Sequence, residues 1–320
     1  MLSTTRPAIF LASTAAKAWE PLSVAVASSN AQVTPYLFPA SLVVCEGLKL
    51  VVLLPLMLAR EPSNRDAERS SLLTSFGRHG TAAASLAICN LCFGHAVPLL
   101  GAMLYQVASQ VVTVMATAGL SYVLLGQILT AGQKGALGLL TAGTVGVVRA
   151  TARGGSGAPA TSAPSLSALV VCIFGAVTFS LSTVLSERAA QRAPAQESIL
   201  EQAVAFSAWG MLATFLALML LHGRDIFSGV GVSPLAGLFV RPGAGPWGVA
   251  ASIAAADLSM TVFCMVDGLG ANAYSVSRAL ALVCTPLLAA VFLGSTCSVE
   301  FCAFAALVAL GGLLFARSKA

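Results

Sequence analysis

The sequence predicts an all-α polytopic membrane protein with ten transmembrane helices, arranged as two inverted five-helix repeats. Of its 320 residues, 57% are hydrophobic and only 9% are Asp, Glu, Lys or Arg. A soluble domain carries roughly a quarter charged residues, so this composition excludes an ordinary cytosolic enzyme. A similarity between the two halves of the chain predicts the repeat.

A long uncharged stretch indicates more than one crossing of the membrane. Between Arg78 and Lys134 lie 55 residues without a formal charge. As a single helix, at about 1.5 Å per residue, this stretch would be far longer than a hydrocarbon core about 30 Å thick. It must therefore cross at least twice, and Pro98 and Gly101 mark the expected break between two helices.

Apolar segments of suitable length predict ten spans. Their expected bounds are 7–27, 34–59, 80–100, 103–125, 132–149, 166–187, 199–222, 247–267, 272–293 and 299–316. Exposed connections are expected at Arg60 to Arg78, Arg153 to Pro164 and Gly223 to Pro246. The chain then divides into a first repeat over 1–150, a linker over 151–165 and a second repeat over 166–320.

The basic residues predict the orientation in the membrane. With ten spans both termini lie on one side, and ten basic residues fall on that side against four on the other. This excess predicts that both termini are cytosolic. The basic residues stand singly at the ends of apolar segments, so no nucleic-acid partner is expected.

Two matching motifs predict the internal repeat. Tyr105-Gln-Val opens the fourth span, which ends at Leu-Gly126, and Tyr274-Ser-Val opens the ninth, which ends at Leu-Gly294. The two tyrosines are 169 residues apart and the two glycines 168. Because five spans are an odd number, the second half would be inverted relative to the first, as in many secondary transporters.

Charged residues inside the predicted spans are the first candidates for function, because a charge in a bilayer is costly without a partner or a cavity. Lys17 and Glu20 in the first span, and Glu46 and Lys49 in the second, are each three residues apart and share a helix face. Each pair either neutralises itself and fixes helix packing, or places a lysine on a water-filled cavity.

Arg278 stands four residues after Tyr274 on the ninth span, and the nearest acid in sequence is Asp267. A guanidinium without a local acid favours an anionic ligand, because its five donors can grip a phosphate or carboxylate in two places. We therefore expect an anion at Arg278.

Uncharged polar side chains lie at or near the same helix faces and could bond either a neighbouring helix or a ligand. These candidates are Asn90, Tyr105, Gln106, Gln110, Asn272 and Ser277. The ring of Tyr105 and the amides that follow it suit a ligand with an aromatic base. By contrast, Glu187 and Arg188 are expected to form a solvated helix end.

The sequence lacks the motifs of the familiar membrane enzymes and pumps. It has no P-loop, HExxH or GxSxG motif, so no catalytic residue and no cofactor is expected. Cys89 and Cys92 form a lone CxxC inside an apolar helix, which favours packing over a metal site. A lipid-acting enzyme or a membrane-embedded scaffold or receptor is the rival class, although the enzyme would need clustered acids or histidines.

Several motifs together resemble the nucleotide-sugar transporters, and most nearly the CMP-sialic acid and UDP-galactose carriers of the drug/metabolite transporter superfamily. The two most specific are the E-x-x-K of Glu46 and Lys49 and the Tyr-Gln-Val-x-x-Gln of 105–110. The others are CEGLK at 45–49, Asn90, LLG at 124–126, Glu187-Arg188 and ANAYSVSRALALVCTP at 271–286.

The resemblance implies a carrier in the Golgi or endoplasmic reticulum membrane that exchanges a cytosolic nucleotide sugar for a luminal nucleoside monophosphate. It implies that Asn90 and Tyr105 line the nucleotide cavity and that Glu46 and Lys49 are the family's second-span pair. A homodimer is compatible with the sequence.

Three places depart from the family pattern. Val112 and about Ser275 stand where the family has lysines expected to face the phosphate, and 200–202 read Leu-Glu-Gln where an arginine is expected. Either Arg278, with Lys49 or Lys17, takes over the phosphate contact, or the chain carries another substrate such as a smaller organic anion or an amphipathic metabolite.

Overall fold

The computed structural model is helical throughout the part of the chain that it describes. The described residues are 9–20, 37–59, 65–100, 102–153, 166–194, 197–227, 244–265, 298–317 and ten positions between 271 and 288. No strand occurs in these residues, which confirms the all-α class.

Ten helices follow one another in the described part of the chain. They are α1 at 9–20, α2 at Leu37–Leu58, α3 at Arg65–Leu100, α4 at Ala102–Leu125, α5 at Ala131–Arg153, α6 at Leu166–Gln191, α7 at Ile199–Phe227, α8 at Ala244–Met265, α9 within 271–288 and α10 at Val299–Arg317. Among the described residues, α2, α3, α4, α6 and α7 contain stretches long and apolar enough to cross a bilayer. The chain is therefore a multi-pass helical membrane protein.

The predicted break between the third and fourth helices is confirmed, since α3 ends at Leu100 and α4 begins at Ala102. Helix α4 ends where Gly126 takes a positive φ of 66° and donates its N–H to Tyr122 O at 3.1 Å. A left-handed residue at this position suits glycine, which has no Cβ to clash. The Leu-Gly motif of the first half is thus a helix stop.

The predicted connection at 60–78 is wrong over most of its length, because α3 begins at Arg65. Tertiary contacts at the end of this segment join α3 to α7 and to the residues just before it. The rings of Phe76 and Trp209 stack at 4.7 Å, Trp209 Nε1 donates to Phe76 O at 2.6 Å, and Arg78 pairs with Glu197. Helix α7 also continues to Phe227 and α8 begins at Ala244, which shortens the connection predicted between them.

The helices pack around α2, α3 and α6. Helix α3 packs against both α6 and α7, α2 packs against α7 and α8, and α4 packs against α6. Helices α5 and α10 form a separate, extensive pair. This arrangement brings α1, α3, α4, α6 and α9 to the edges of one internal cavity.

The α5–α10 pair is close because glycines line both sides of it. A Cβ on Gly143 of α5 would lie 2.9 Å from the Val308 side chain of α10, and a Cβ on Gly311 of α10 would lie 3.0 Å from Leu140 of α5. Each helix therefore offers a glycine to an aliphatic residue of the other. Small residues allow this close approach in membrane helices.

Candidate functional site

A small cavity, open in part to the outside, lies between α1, α3, α4, α6 and α9. Five of the residues singled out as candidates from the sequence line it: Lys17, Glu20, Asn90, Tyr105 and Arg278. The others are Cys89, Phe93, Ser109 and Phe179. Because the lining combines cations, an amide and aromatic rings, it can hold a ligand that has both an anionic group and a flat ring.

On the α1 side of the cavity, Lys17 forms the predicted ion pair with Glu20, with 2.9 Å between Nζ and Oε2. Lys17 Nζ also lies 3.7 Å from Asp257 Oδ1 of α8. Lys17 and Glu20 are 5% and 7% exposed but still line the cavity. Both alternatives of the sequence analysis therefore apply to this pair, which is neutralised and also borders a hollow.

On α2, Lys49 forms the second predicted pair, with 2.6 Å from its Nζ to Glu46 Oε1. Its Nζ lies 3.9 Å from Asp257 Oδ2, and Asn90 Nδ2 donates to the same oxygen at 2.9 Å. Glu46 and Lys49 are each 2% exposed and are not among the residues that line the cavity. This pair lies behind the cavity wall.

Asp257 joins the two pairs into one connected group. We call Lys17, Glu20, Glu46, Lys49 and Asp257 the central charge network. Asp257 was not among the residues singled out from the sequence, although a lone carboxylate in the middle of an apolar helix indicates that it has partners. Its partners come from α1, α2 and α3, so its role depends on packing between helices distant in the sequence.

Arg278 also lines the cavity. Its guanidinium Cζ lies 4.0 Å from the ring centroid of Phe179, within cation–π range, and its Nη1 donates to Thr113 Oγ1 at 3.4 Å. Within the described residues it forms no ion pair. Lys17 Nζ lies 5.5 Å from the centroid of the same ring, so both cations contact Phe179.

Aromatic rings form the remaining walls. Tyr105 meets Phe93 edge to face at 5.1 Å between centroids, and Phe179 stacks on Tyr274 at 6.0 Å. Tyr274 itself is fully buried, so it supports Phe179 instead of facing the cavity. The sequence pointed to the tyrosines but gave no sign that Phe93 and Phe179 would face them.

The other predicted residues fall into two groups. Ser277 is buried and bonds α1, at 3.1 Å from Thr14 Oγ1 and 3.3 Å from Ser13 Oγ, and Gln110 is buried in α4. The side chain of Gln106, and all of Asn272 and Ser275, lie outside the described residues.

Glu187 is not the solvated helix end expected from the sequence. It is 7% exposed and accepts hydrogen bonds from Gln127 Nε2 at 2.6 Å, Gln191 Nε2 at 3.1 Å and the Ala271 N–H at 2.6 Å. These donors satisfy the buried carboxylate. Glu187 thereby ties the end of α6 to the connection after α4 and to the start of α9.

Comparison with known proteins shows the fold but no family. Neither the protein-family models nor the curated proteins include a match. Twenty-seven chains of solved structures match, and one, known only as a crystal structure of a protein, aligns over 99% of both chains with a TM-score of 0.62 and 19% sequence identity. At this identity the likeness concerns the arrangement of helices along the whole chain.

Proposed function

We propose that this protein is a secondary carrier, not an enzyme, that exchanges a nucleotide sugar for a nucleoside monophosphate across a Golgi or endoplasmic reticulum membrane. The observation that carries the proposal is Arg278, a cation on an internal cavity that has no acidic partner among the described residues. An anionic ligand supplies the charge that Arg278 lacks.

The electrostatics favour Arg278 over the lysines as the anion anchor. Lys17 already meets Glu20 at 2.9 Å and Asp257 at 3.7 Å, and Lys49 lies behind the cavity wall with Glu46. A phosphate near Lys17 would meet a cation already neutralised by carboxylates. Of the substitutes considered for the missing family lysines, Arg278 therefore has the strongest support.

The aromatic walls suit the other part of a nucleotide. Tyr105 and Phe93 border the cavity together with the amide of Asn90, and the guanidinium of Arg278 lies against the ring of Phe179. A base can stack on a ring and offer its edge to an amide, while its phosphate reaches the guanidinium. This division fits the nucleotide that both exchange partners share.

Contacts between the halves support alternating access between two inverted repeats. Gly143 and Leu140 of α5 stand 168 residues before Gly311 and Val308 of α10, and each glycine meets the other helix's aliphatic residue. This is the reciprocal contact that a twofold relation requires. The same offset separates Thr130 and Ser298, whose hydroxyls cap the starts of α5 and α10.

A smaller organic anion is the second candidate substrate, favoured by one observation. The cavity has Arg278 as its cation without an acidic partner among the described residues, and Val112 stands where the family resemblance expects a lysine. One guanidinium suits a single phosphate or carboxylate better than a diphosphate. Competition by simple phosphate esters would favour this candidate.

The test is ligand binding and counterflow with Arg278→Ala. On detergent-purified protein, nucleotides and nucleotide sugars that bind the folded state should raise the melting temperature. In proteoliposomes, preloaded nucleoside monophosphate should accelerate uptake of nucleotide sugar. Arg278→Ala should abolish both effects, because a charge-assisted contact worth about 1.5–3 kcal/mol corresponds to at least a tenfold loss of affinity.

Arg149→Ala is the matched control, since Arg149 is an exposed arginine of α5 away from the cavity. It should leave binding and counterflow unchanged. If Arg278→Ala reaches the membrane and transports as well as the wild type, Arg278 is not the anion anchor. If no phosphate-bearing ligand shifts the melting temperature or shows counterflow, the carrier function is rejected in favour of a scaffold or receptor.

A further inference from the structure

The central charge network has one carboxylate more than it has ammonium groups. Three acids, Glu20, Glu46 and Asp257, share two lysines, Lys17 and Lys49, through contacts of 2.6 to 3.9 Å. All five side chains are at least nine-tenths buried. With every group ionised, these five side chains together carry one net negative charge, which is costly in an apolar environment.

Asp257 is the carboxylate in excess, because Glu20 already pairs with Lys17 and Glu46 with Lys49. Its nearest acid of the same network on α2 is Glu46. Carboxylate oxygens of Glu46 and Asp257 and the Sγ of Cys45 lie within 4.8 Å of one another. Within the described residues, Glu46 Oε2 and Asp257 Oδ1 have no hydrogen-bond partner. Two like charges this close in a buried site favour the protonation of one of them.

The surroundings favour a proton over a metal ion. The Lys49 ammonium already lies 2.6 Å from Glu46 and 3.9 Å from Asp257, so a metal would have to displace it. Glu46 also packs tightly against α7, since a Cβ on Gly210 would lie 2.7 Å from Glu46 Oε2. A proton needs no extra space, and a neutral carboxyl suits contact with a glycine backbone.

We propose that Glu46 of α2 and Asp257 of α8 form a proton-binding site that holds one exchangeable proton between the two helices. The groups that face it come from four helices: Lys17 and Glu20 from α1, Cys45 and Lys49 from α2, Asn90 from α3 and Gly210 from α7. Three further groups surround Lys17: Phe179 of α6, and Tyr274 and Arg278 of α9. Among these, Lys17, Lys49, Glu20 and Arg278 carry charge.

Arg278 links this proton to the ligand, a step that rests on the proposed carrier function. The guanidinium lies near the same ring as Lys17 and offsets part of the network's negative charge, although it forms no ion pair with a described acid. An anion that binds Arg278 cancels this compensation, so the network then holds its proton more tightly. By reciprocity, protonation strengthens anion binding, and the carrier takes up a proton with its anion.

Infrared difference spectroscopy of the reconstituted full chain tests the proton site directly. The wild type should show the C=O band of a protonated carboxyl that disappears as pH rises, and both Glu46→Gln and Asp257→Asn should remove it. Asp257→Asn keeps the test valid if Glu46→Gln fails to fold. Glu201→Gln is the control, because Glu201 caps the start of α7 through Ser198, a role that glutamine also fills.

This experiment has two outcomes that overturn the proposal. One is the absence of a titrating carboxyl band in the wild type. The other is a band that survives in both variants, or that disappears in Glu20→Gln while persisting in Glu46→Gln and Asp257→Asn. In the second case the proton belongs to a different acid.

Calorimetry with UDP-galactose tests the coupling, since its diphosphate remains ionised between mildly acidic and neutral pH. Binding enthalpies in two buffers should report uptake of up to one proton, and affinity should rise by up to about tenfold for each unit fall in pH. Asp257→Asn should remove both effects. Binding without proton uptake overturns the coupling. Failure to bind at any pH counts against the carrier function, and in that case the infrared band alone tests the proton site.

Discussion

Two lysine–glutamate pairs of equal spacing have different surroundings in this molecule. Lys17 and Glu20 on α1 border the cavity, whereas Glu46 and Lys49 on α2 are sealed behind it. The ion-pair distances are similar, at 2.9 and 2.6 Å. A three-residue spacing therefore predicts the ion pair within a helix, whereas the neighbouring helices decide whether a ligand can reach that pair.

Asp257 connects the two lysine–glutamate pairs. It contacts both lysines and accepts a hydrogen bond from Asn90, a cavity residue. A change in charge on the cavity side can therefore reach the sealed side through one carboxylate. The α1 pair lies on the cavity side of Asp257, and the α2 pair lies on the sealed side, where the proton is proposed.

Loss of the lysine should destabilise the protein more in the α2 pair than in the α1 pair. Lys49→Ala removes the ammonium from two buried carboxylates and should lower the free energy of unfolding by about 3–5 kcal/mol. Lys17→Ala should cost about 1–3 kcal/mol, because the cavity allows water to reach Glu20. Reversible unfolding in mixed detergent micelles measures both.

The ligand readout should have the opposite order. Lys17→Ala changes the charge of the cavity wall and should alter nucleotide affinity more than any Lys49 variant that remains folded.

The stability measurement has its own contradicting outcome. Equal losses of stability in the two lysine variants would show that the cavity does not hydrate the α1 pair, and the two pairs would then not differ.

The helices and the two ion pairs could be predicted because they depend on local sequence. The run of 55 uncharged residues requires two helices, and a lysine three residues from a glutamate shares its helix face. The beginning of α3 was mispredicted for the complementary reason. Phe76 and Arg78 are held in a helix by Trp209 and Glu197, whose positions no local pattern gives.

The site could be predicted only in part, for the same physical reason. Arg278, Lys17, Asn90 and Tyr105 were found because polar groups in apolar helices are conspicuous. Phe179 looks like any other apolar residue in α6 until its ring is found in contact with two cations. Residues that meet only through packing between distant helices leave no signal in their own neighbourhood.

A medium effect should come from the helix that seals the α2 pair. Gly210→Ala places a Cβ 2.7 Å from the Glu46 carboxyl and should cost about 1–3 kcal/mol through overpacking. Gly47→Ala is the matched control on α2, since nothing lies within 4 Å of its Cβ. It should be neutral or slightly stabilising. If both alanines are equally tolerated, Glu46 is not confined by α7, and unfolding measurements of the two variants would reveal this.

The smallest effect concerns how α1 is held beside the cavity. Ser277 of α9 bonds Thr14 at 3.1 Å and Ser13 at 3.3 Å, one turn before Lys17. Interhelical hydrogen bonds in membranes contribute about 0.6 kcal/mol on average, so Ser277→Ala should cost about 1 kcal/mol or less of unfolding free energy. If Ser277 instead contacts the ligand, nucleotide affinity should fall by more than the loss of stability explains. Melting curves of Ser277→Ala with and without UDP-galactose separate these cases, because a purely structural residue shifts both curves equally and leaves the ligand-induced increase unchanged.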